Sequence, residues 1–235
     1  MRPALETPDW PAPPRVRAAF SLRHAGLSGP PYASFNVGDH VGDRPEAVAG
    51  NRQAFAAALG ARPVFLEQVH GREVVTLEAG TPDGTRADGC VTSRRGLACT
   101  IMVADCLPLL FTTTDGVAVA AAHAGWRGLA GEGGQGVLEA VWQRFWPLAG
   151  RDAAQAAART LVWLGPCIGP GAFEVGGEVK AAFESADAQA ASLLLPSAPG
   201  KWLADLQGLA RLRLAALGIT EVHGNRSEEH TSELQ

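Results

Sequence analysis

No stretch of this 235-residue chain is apolar for long enough to cross a bilayer; the longest uncharged apolar runs, such as residues 117–124, fall far short. The N-terminus, Met1-Arg2-Pro3-Ala4-Leu5-Glu6-Thr7-Pro8-Asp9, lacks the apolar centre of a secretory signal, so a cytoplasmic location is expected. Lysine and arginine nowhere cluster, and the formal net charge is −4. Neither nucleic acid nor a membrane surface is therefore expected as the main partner. HExxH and CxxC are absent, and the six histidines contain no His-x-His pair of the kind multicopper electron transfer commonly uses. Cysteine is scarce. In a reducing compartment Cys90, Cys99, Cys106 and Cys167 are read as thiols rather than two disulfides. Cys90 and Cys99 read as small buried hydrophobes, whereas Cys167 is open between packing and lining a site.

Hydrophobic residues make up 46% of the chain, enough for a sizeable core, and no linker-like stretch divides the middle. The first 14 residues are proline-rich and expected to be extended or frayed. Strands are expected at 16–22, 64–70, 73–77, 161–164 and around Val222, with a β region opening at Ala87. Helices are expected at 44–59, where Arg44-Pro45-Glu46 opens and Gly60 closes, from Val137 onward, and at 177–184 and 205–217. This irregular alternation predicts an α/β or α+β fold with a mixed sheet in a single domain. The last ten residues, Arg226 to Gln235, break abruptly from the Ala/Leu/Gly-rich style before them. They match one reading frame of a common sequencing adapter, so the tail is expected to be an artefact in place of the natural C-terminus.

Thr112-Thr113-Thr114-Asp115-Gly116 is a turn signal between two apolar runs. A hairpin folded about Asp115 brings Cys106, nine residues before it, nearly opposite His123, eight residues after it. Cross-strand neighbours lie roughly 4.5–5.5 Å apart at Cα, close enough to share an ion. With His70 from Gln68-Val69-His70-Gly71 the set becomes one thiol and two imidazoles, the ligand count of an open, catalytic site rather than a closed structural one. Such donors suit zinc or copper, not magnesium or calcium. Spacing alone leaves the trio open between a metal site and ordinary packed histidines. It equally permits Cys106 as a nucleophile with His123 as its base. Asp105 either caps nearby backbone or turns toward the metal. Arg127, set between Gly125 and Gly128, lies in a plain turn or holds an anion. Arg52, on the first helix, reads by itself as part of an exposed face.

Many ordered motifs point to one family. Arg23-His24-Ala25-Gly26-Leu27-Ser28, Phe35-Asn36-Val37-Gly38, Val41-Gly42-Asp43, Asn51-Arg52, the His70 segment and Ala87-Asp88-Gly89 come first. Ala104-Asp105-Cys106-Leu107-Pro108, His123-Ala124-Gly125-Trp126-Arg127-Gly128, Gly165-Pro166-Cys167-Ile168-Gly169-Pro170, Phe173-Glu174-Val175-Gly176 and Trp202-Leu203-Ala204-Asp205-Leu206 follow. The sequence resembles the laccase-domain family, also described as polyphenol-oxidase-like or peptidoglycan-editing-factor proteins. Its members are regarded as zinc-containing purine nucleoside phosphorylases with adenosine deaminase activity. The resemblance implies an α/β/β/α layered fold over residues 15–225, and His70, Cys106 and His123 as metal ligands. It implies zinc, with copper the other option, and a nucleoside and phosphate as substrates. Asp105 and Arg127 are then the expected catalytic residues, and Asn36, Arg52 and Gln68 line the pocket. Two departures stand out: Gly131-Glu132-Gly133-Gly134-Gln135-Gly136 is longer and more polar than the family's glycine turn, and the family's C-terminal run is absent beyond Gly224. Rival readings are a cysteine–histidine hydrolase or editing factor acting on a cell-wall precursor, a copper-dependent polyphenol oxidase, and a non-enzymatic binding module.

Overall fold

The computed structural model describes residues 3–150 and 152–224. Of the two expectations for the proline-rich segment, the extended one holds at β1 (Leu5–Glu6), a two-residue strand paired antiparallel with β2 (Phe20–Ser21). The strand expected over 16–22 is thus confined to its last third. The first helix, α1 (Pro45–Leu59), begins with Pro45 in its first turn, where a missing N–H costs nothing. It ends at Gly60, which takes the left-handed conformation (φ 65°) that glycine adopts without strain.

β3 (Arg62–Val64), β4 (Val74–Thr76), β5 (Gly89–Thr92) and β6 (Leu97–Cys99) follow. The hairpin is β7 (Leu107–Thr113) and β8 (Val119–Ala124). After it come α2 (Trp126–Ala130), α3 (Val137–Phe145), α4 (Ala153–Ala157) and β9 (Thr160–Leu164). β10 (Glu174–Gly176), α5 (Gly177–Glu184), β11 (Leu194–Ala198), β12 (Lys201–Ala204), α6 (Leu206–Ala216) and β13 (Glu221–Gly224) complete the order. The artefact expected at 226–235 lies outside the described residues.

Six strands form one mixed sheet in the order β13-β9-β7-β8-β5-β4. β7 pairs antiparallel with β8 and β9, while β4 and β5, and β9 and β13, run parallel. The side-chain period of two sends Leu107, Leu109 and Phe111 of β7 to one face, with Ala120, Ala122 and Ala124 of β8. There they meet Val137, Leu138, Val141 and Phe145 of α3 and Leu209, Ala210 and Leu214 of α6. Cys90, Ala121 and Leu110 turn to the opposite face, against Val64, Leu66, Leu97 and Cys99 of a second layer built on parallel β3 and β6. Phe35, Phe55 and Phe65 seat α1 outside that layer. The result is helix, sheet, sheet, helix, as expected. The run of alanines in β8 keeps both faces flat, so that helix and second layer close on it.

Beneath the sheet, Glu139 of α3 accepts from the Gly136 N–H (2.7 Å) and from Arg213 Nε of α6 (2.8 Å). Arg213 also donates to the Gly134 carbonyl, and Arg72 to that of Gln135 (3.1 Å). The polar glycine loop is therefore tied to α3, to α6 and to the loop between β3 and β4. Cys90 and Cys99 touch between the layers, and that contact together with burial pushes the Cys99 thiol well up. Cys167 packs in the main core, where burial raises its thiol to about 11. Among the described residues no helix is long and apolar enough to cross a membrane.

Candidate metal centre

The hairpin register pairs Leu107 with Ala124 and Pro108 with His123. One step further, Cys106 stands across from Gly125, so it sits diagonal to His123 rather than opposite it. The register centres the hairpin between Asp115 and Gly116, half a residue past the expected pivot, which accounts for one residue of the offset; the unequal spans of nine and eight residues account for the other. Cross-strand diagonals are still within side-chain reach. Gly125 makes the approach possible: a Cβ there would lie 2.8 Å from His70 Cδ2 and 3.0 Å from Cys106 Sγ.

His70 comes from the loop between β3 and β4, where the expected strand over 64–70 does not form beyond Val64. Its N–H groups go elsewhere. Val69, His70 and Gly71 all donate to the Asp88 carboxylate, at 3.2, 2.8 and 2.8 Å. That wrap holds His70 at a left-handed φ of 59°, unusual for a residue with a side chain. The same carboxylate takes His123 Nδ1 at 2.9 Å. Asp88 is fully buried. Burial alone would raise its carboxyl, but His123 and the loop N–H groups outweigh that and hold it low. Nothing in its sequence position singled out Asp88 for this role, although the Ala87-Asp88-Gly89 motif was visible.

With Nδ1 committed to Asp88, His123 presents Nε2 toward Cys106, whose Sγ is 3.7 Å from His70 Nε2. The two imidazoles meet edge to face at 4.7 Å between centroids. One ligand atom from each of His70, Cys106 and His123 lies within 4.8 Å of the others, and among the described residues this is the one such group. Burial lowers His123, yet the Asp88 and Cys106 partners raise it to about 9. Burial and the neighbouring His123 charge lower His70. Thiol and imidazole donors of this kind fit a soft or borderline metal.

The centre opens into a cleft of about 1090 Å³ between the large sheet and the α1 layer, with Asp105, Gln68 and Asn36 also in its wall. Asp105 lies outside the ligand group; its carboxylate has no hydrogen-bond partner among the described residues, and only its carbonyl is engaged, by Ile168 N–H (2.9 Å). The Gln68 amide clasps the Met102 backbone in both directions at 2.8 Å. Asn36 closes its own loop, accepting from Gly38 N–H (2.9 Å) and donating to Asp43 (3.0 Å). Arg52 lies behind the wall, donating to the Val37 carbonyl (2.7 Å), paired with Asp39 (3.2 Å) and stacked over Phe65. Arg127 is exposed at the start of α2, its guanidinium 4.5 Å over the Trp126 ring.

Residues 17–235 match the family model described as multi-copper polyphenol oxidoreductase laccase. The chain belongs to this family. It is 51% identical over 219 residues to a protein of Pseudomonas aeruginosa named purine nucleoside phosphorylase, covering 93% of this chain and 85% of that one. An Escherichia coli protein, purine nucleoside phosphorylase YfiH, is 46% identical over 222 residues, 94% of this chain and 86% of its own. Among solved structures a Neisseria meningitidis protein superposes with a TM-score of 0.82 at 42% identity, over 94% of this chain and 86% of that one. Family membership thus rests on nearly the whole fold, including every element that carries the centre.

Proposed function

We propose that this chain is a metal-dependent purine nucleoside phosphorylase, acting on adenosine, inosine and methylthioadenosine with phosphate, and deaminating adenosine as a second activity. The catalytic domain is assigned to residues 15–225, with 1–14 as its proline-rich extension. The observation that carries this reading is the convergence of His70, Cys106 and His123 beside a cleft large enough for a nucleoside, in a chain whose relatives bear that name. One three-ligand group offers a place for one ion, which favours a single zinc over a multicopper relay. Copper remains the alternative occupant on ligand chemistry alone.

His70, Cys106 and His123 would hold zinc, which when bound would supply Lewis acidity beside the cleft. The chain's own groups do the rest. Arg127, whose guanidinium has no hydrogen bond or ion pair among the described residues, is assigned to phosphate, and its stacking on Trp126 fixes the guanidinium plane. Fixed positive charge there stabilises the anion as it approaches C1′ of a ribose that develops cationic character. Asp105, unpartnered in the cleft wall, is assigned to proton transfer at the base. Gln68 and Asn36 are assigned to the substrate wall, and Arg52 supports that wall from behind through Val37 and Asp39.

A second reading draws on the contact of the Cys106 thiol with both imidazoles, a geometry also suited to a cysteine hydrolase acting on a cell-wall precursor. Assays with adenosine and inosine, with and without phosphate, separate the two. Phosphate-dependent release of free base, abolished by chelation and restored by zinc, supports the phosphorylase. Turnover of a cell-wall precursor that survives chelation but not thiol alkylation, with no base release from either nucleoside, supports the hydrolase.

A further inference from the structure

We propose that Asp88 is the positioning residue of the metal centre, a single carboxylate that sets two of the three ligands at once, His123 through its ring and His70 through its backbone. The inference rests on the metal reading of the His70–Cys106–His123 group and is independent of the nucleoside substrate.

The geometry leaves the carboxylate no spare capacity. Oδ1 accepts from His70 N–H (2.8 Å) and His123 Nδ1 (2.9 Å). Oδ2 accepts from Gly71 N–H (2.8 Å) and Val69 N–H (3.2 Å). Four donors thus converge on two acceptor atoms, in a site closed to water. On the His123 side, the bond places the proton on Nδ1 and leaves the Nε2 lone pair for a metal. On the His70 side, three consecutive N–H groups wrapped round one anion hold the left-handed turn that aims its ring at Cys106. Asp88 also lies beside the ladder it serves: its carbonyl accepts from the His123 N–H (2.7 Å), so carboxylate and ligand are fixed in register by β5 and β8.

Asn is the informative replacement because it has nearly the same shape but only one acceptor oxygen. With the amide oxygen toward His123 and His70, the NH₂ group faces the Gly71 and Val69 donors, and the His70 loop is pushed off. With the amide turned over, NH₂ donates to His123 Nδ1, drives the ring proton to Nε2, and abolishes that nitrogen as a ligand. Either orientation costs one ligand. A residue that merely fills space would not distinguish carboxylate from amide.

The test is Co²⁺ titration of metal-free wild type, Asp88→Asn and His123→Gln, read by visible absorption and by competition with a chromophoric chelator. Metal-free thermal unfolding is followed in parallel. Asp88→Asn is expected to bind roughly 10- to 100-fold more weakly and to show the altered ligand-field bands of a centre that has lost one protein ligand, as His123→Gln does. Asp88→Asn with wild-type affinity and wild-type bands overturns the proposal. Should Asp88→Asn fail to fold, the wild type decides: correlation spectra of ¹⁵N-labelled histidine must show His123 carrying its proton on Nδ1 in the metal-loaded protein. A proton on Nε2 there overturns the proposal too. If wild type itself takes up no Co²⁺ or Zn²⁺, the metal reading has failed rather than the role of Asp88.

Discussion

Gly125→Ala is the smallest change that tests how tightly the centre is drawn. The backbone there, at φ −68° and ψ 160°, is open to any residue, so alanine adds no backbone strain. Its methyl would lie 2.8 Å from His70 Cδ2 and 3.0 Å from Cys106 Sγ, against roughly 3.5–4.0 Å for carbon atoms at rest. Relief therefore needs the ring and the thiol to move apart by several tenths of an ångström each. Metal–ligand distances tolerate only about 0.2 Å. The metal-free fold should lose about 1–3 kcal/mol, the usual cost of one surplus methylene in packed surroundings. Metal affinity should fall at least about tenfold, equivalent to some 1.4 kcal/mol. Chelator competition for Zn²⁺, with thermal unfolding of both forms, measures the two effects separately. Unchanged affinity in a folded Gly125→Ala protein would refute the claim that His70 and Cys106 meet across this glycine.

Three further outcomes follow from the same arrangement. In the metal-free protein His123 is raised from 6.5 to about 9, so its protonation stabilises the fold fully below pH 6.5 and this contribution disappears as pH climbs through 9. The loss is up to about 3 kcal/mol, and since ligation needs the neutral ring, Zn²⁺ affinity should rise over that same interval; a flat pH dependence of both would contradict the assignment. Arg127→Ala should raise the KM for phosphate by tenfold or more with little change in Tm, because the side chain is exposed and, among the described residues, held by Trp126 alone; equal KM values in steady-state assays would remove Arg127 from the phosphate site. Phe145→Ala, at a fully buried position between α3 and the sheet, should cost about 3–5 kcal/mol in denaturant unfolding while leaving metal stoichiometry in the folded protein unchanged.

Local signals in the chain were strong where a single residue type decides local geometry. Pro45 and Gly60 bracket α1, Gly218 follows α6, and Asp115-Gly116 marks the turn that brings β7 and β8 together. Cys106 and His123 could be brought together for the same reason, since a hairpin needs only its turn to be found, whereas His70, outside the hairpin, entered through its own motif and the family resemblance. Its register was less so, because a five-residue turn and a tighter one look alike in sequence. β10, β11 and β12 escaped notice: they are short, β11 is mostly exposed and contains Pro196, so none shows a clean alternation. α2 was hidden among glycines, and its packing of Leu129 and Ala130 into the main core sustains it where helix propensity would not. Asp88 was illegible for a deeper reason. It stands 18 residues after His70 and 35 before His123, and only the pairing of β4, β5 and β8 makes the three neighbours.

The central claim is that one sulfur and two ring nitrogens hold one metal ion beside the cleft. Elemental analysis of the purified protein and of Cys106→Ala, each after exposure to Zn²⁺ and removal of excess, tests it directly. One zinc per chain in the first and close to none in a folded Cys106→Ala protein is the expected result. Equal metal content in the two, or none in either, would contradict it.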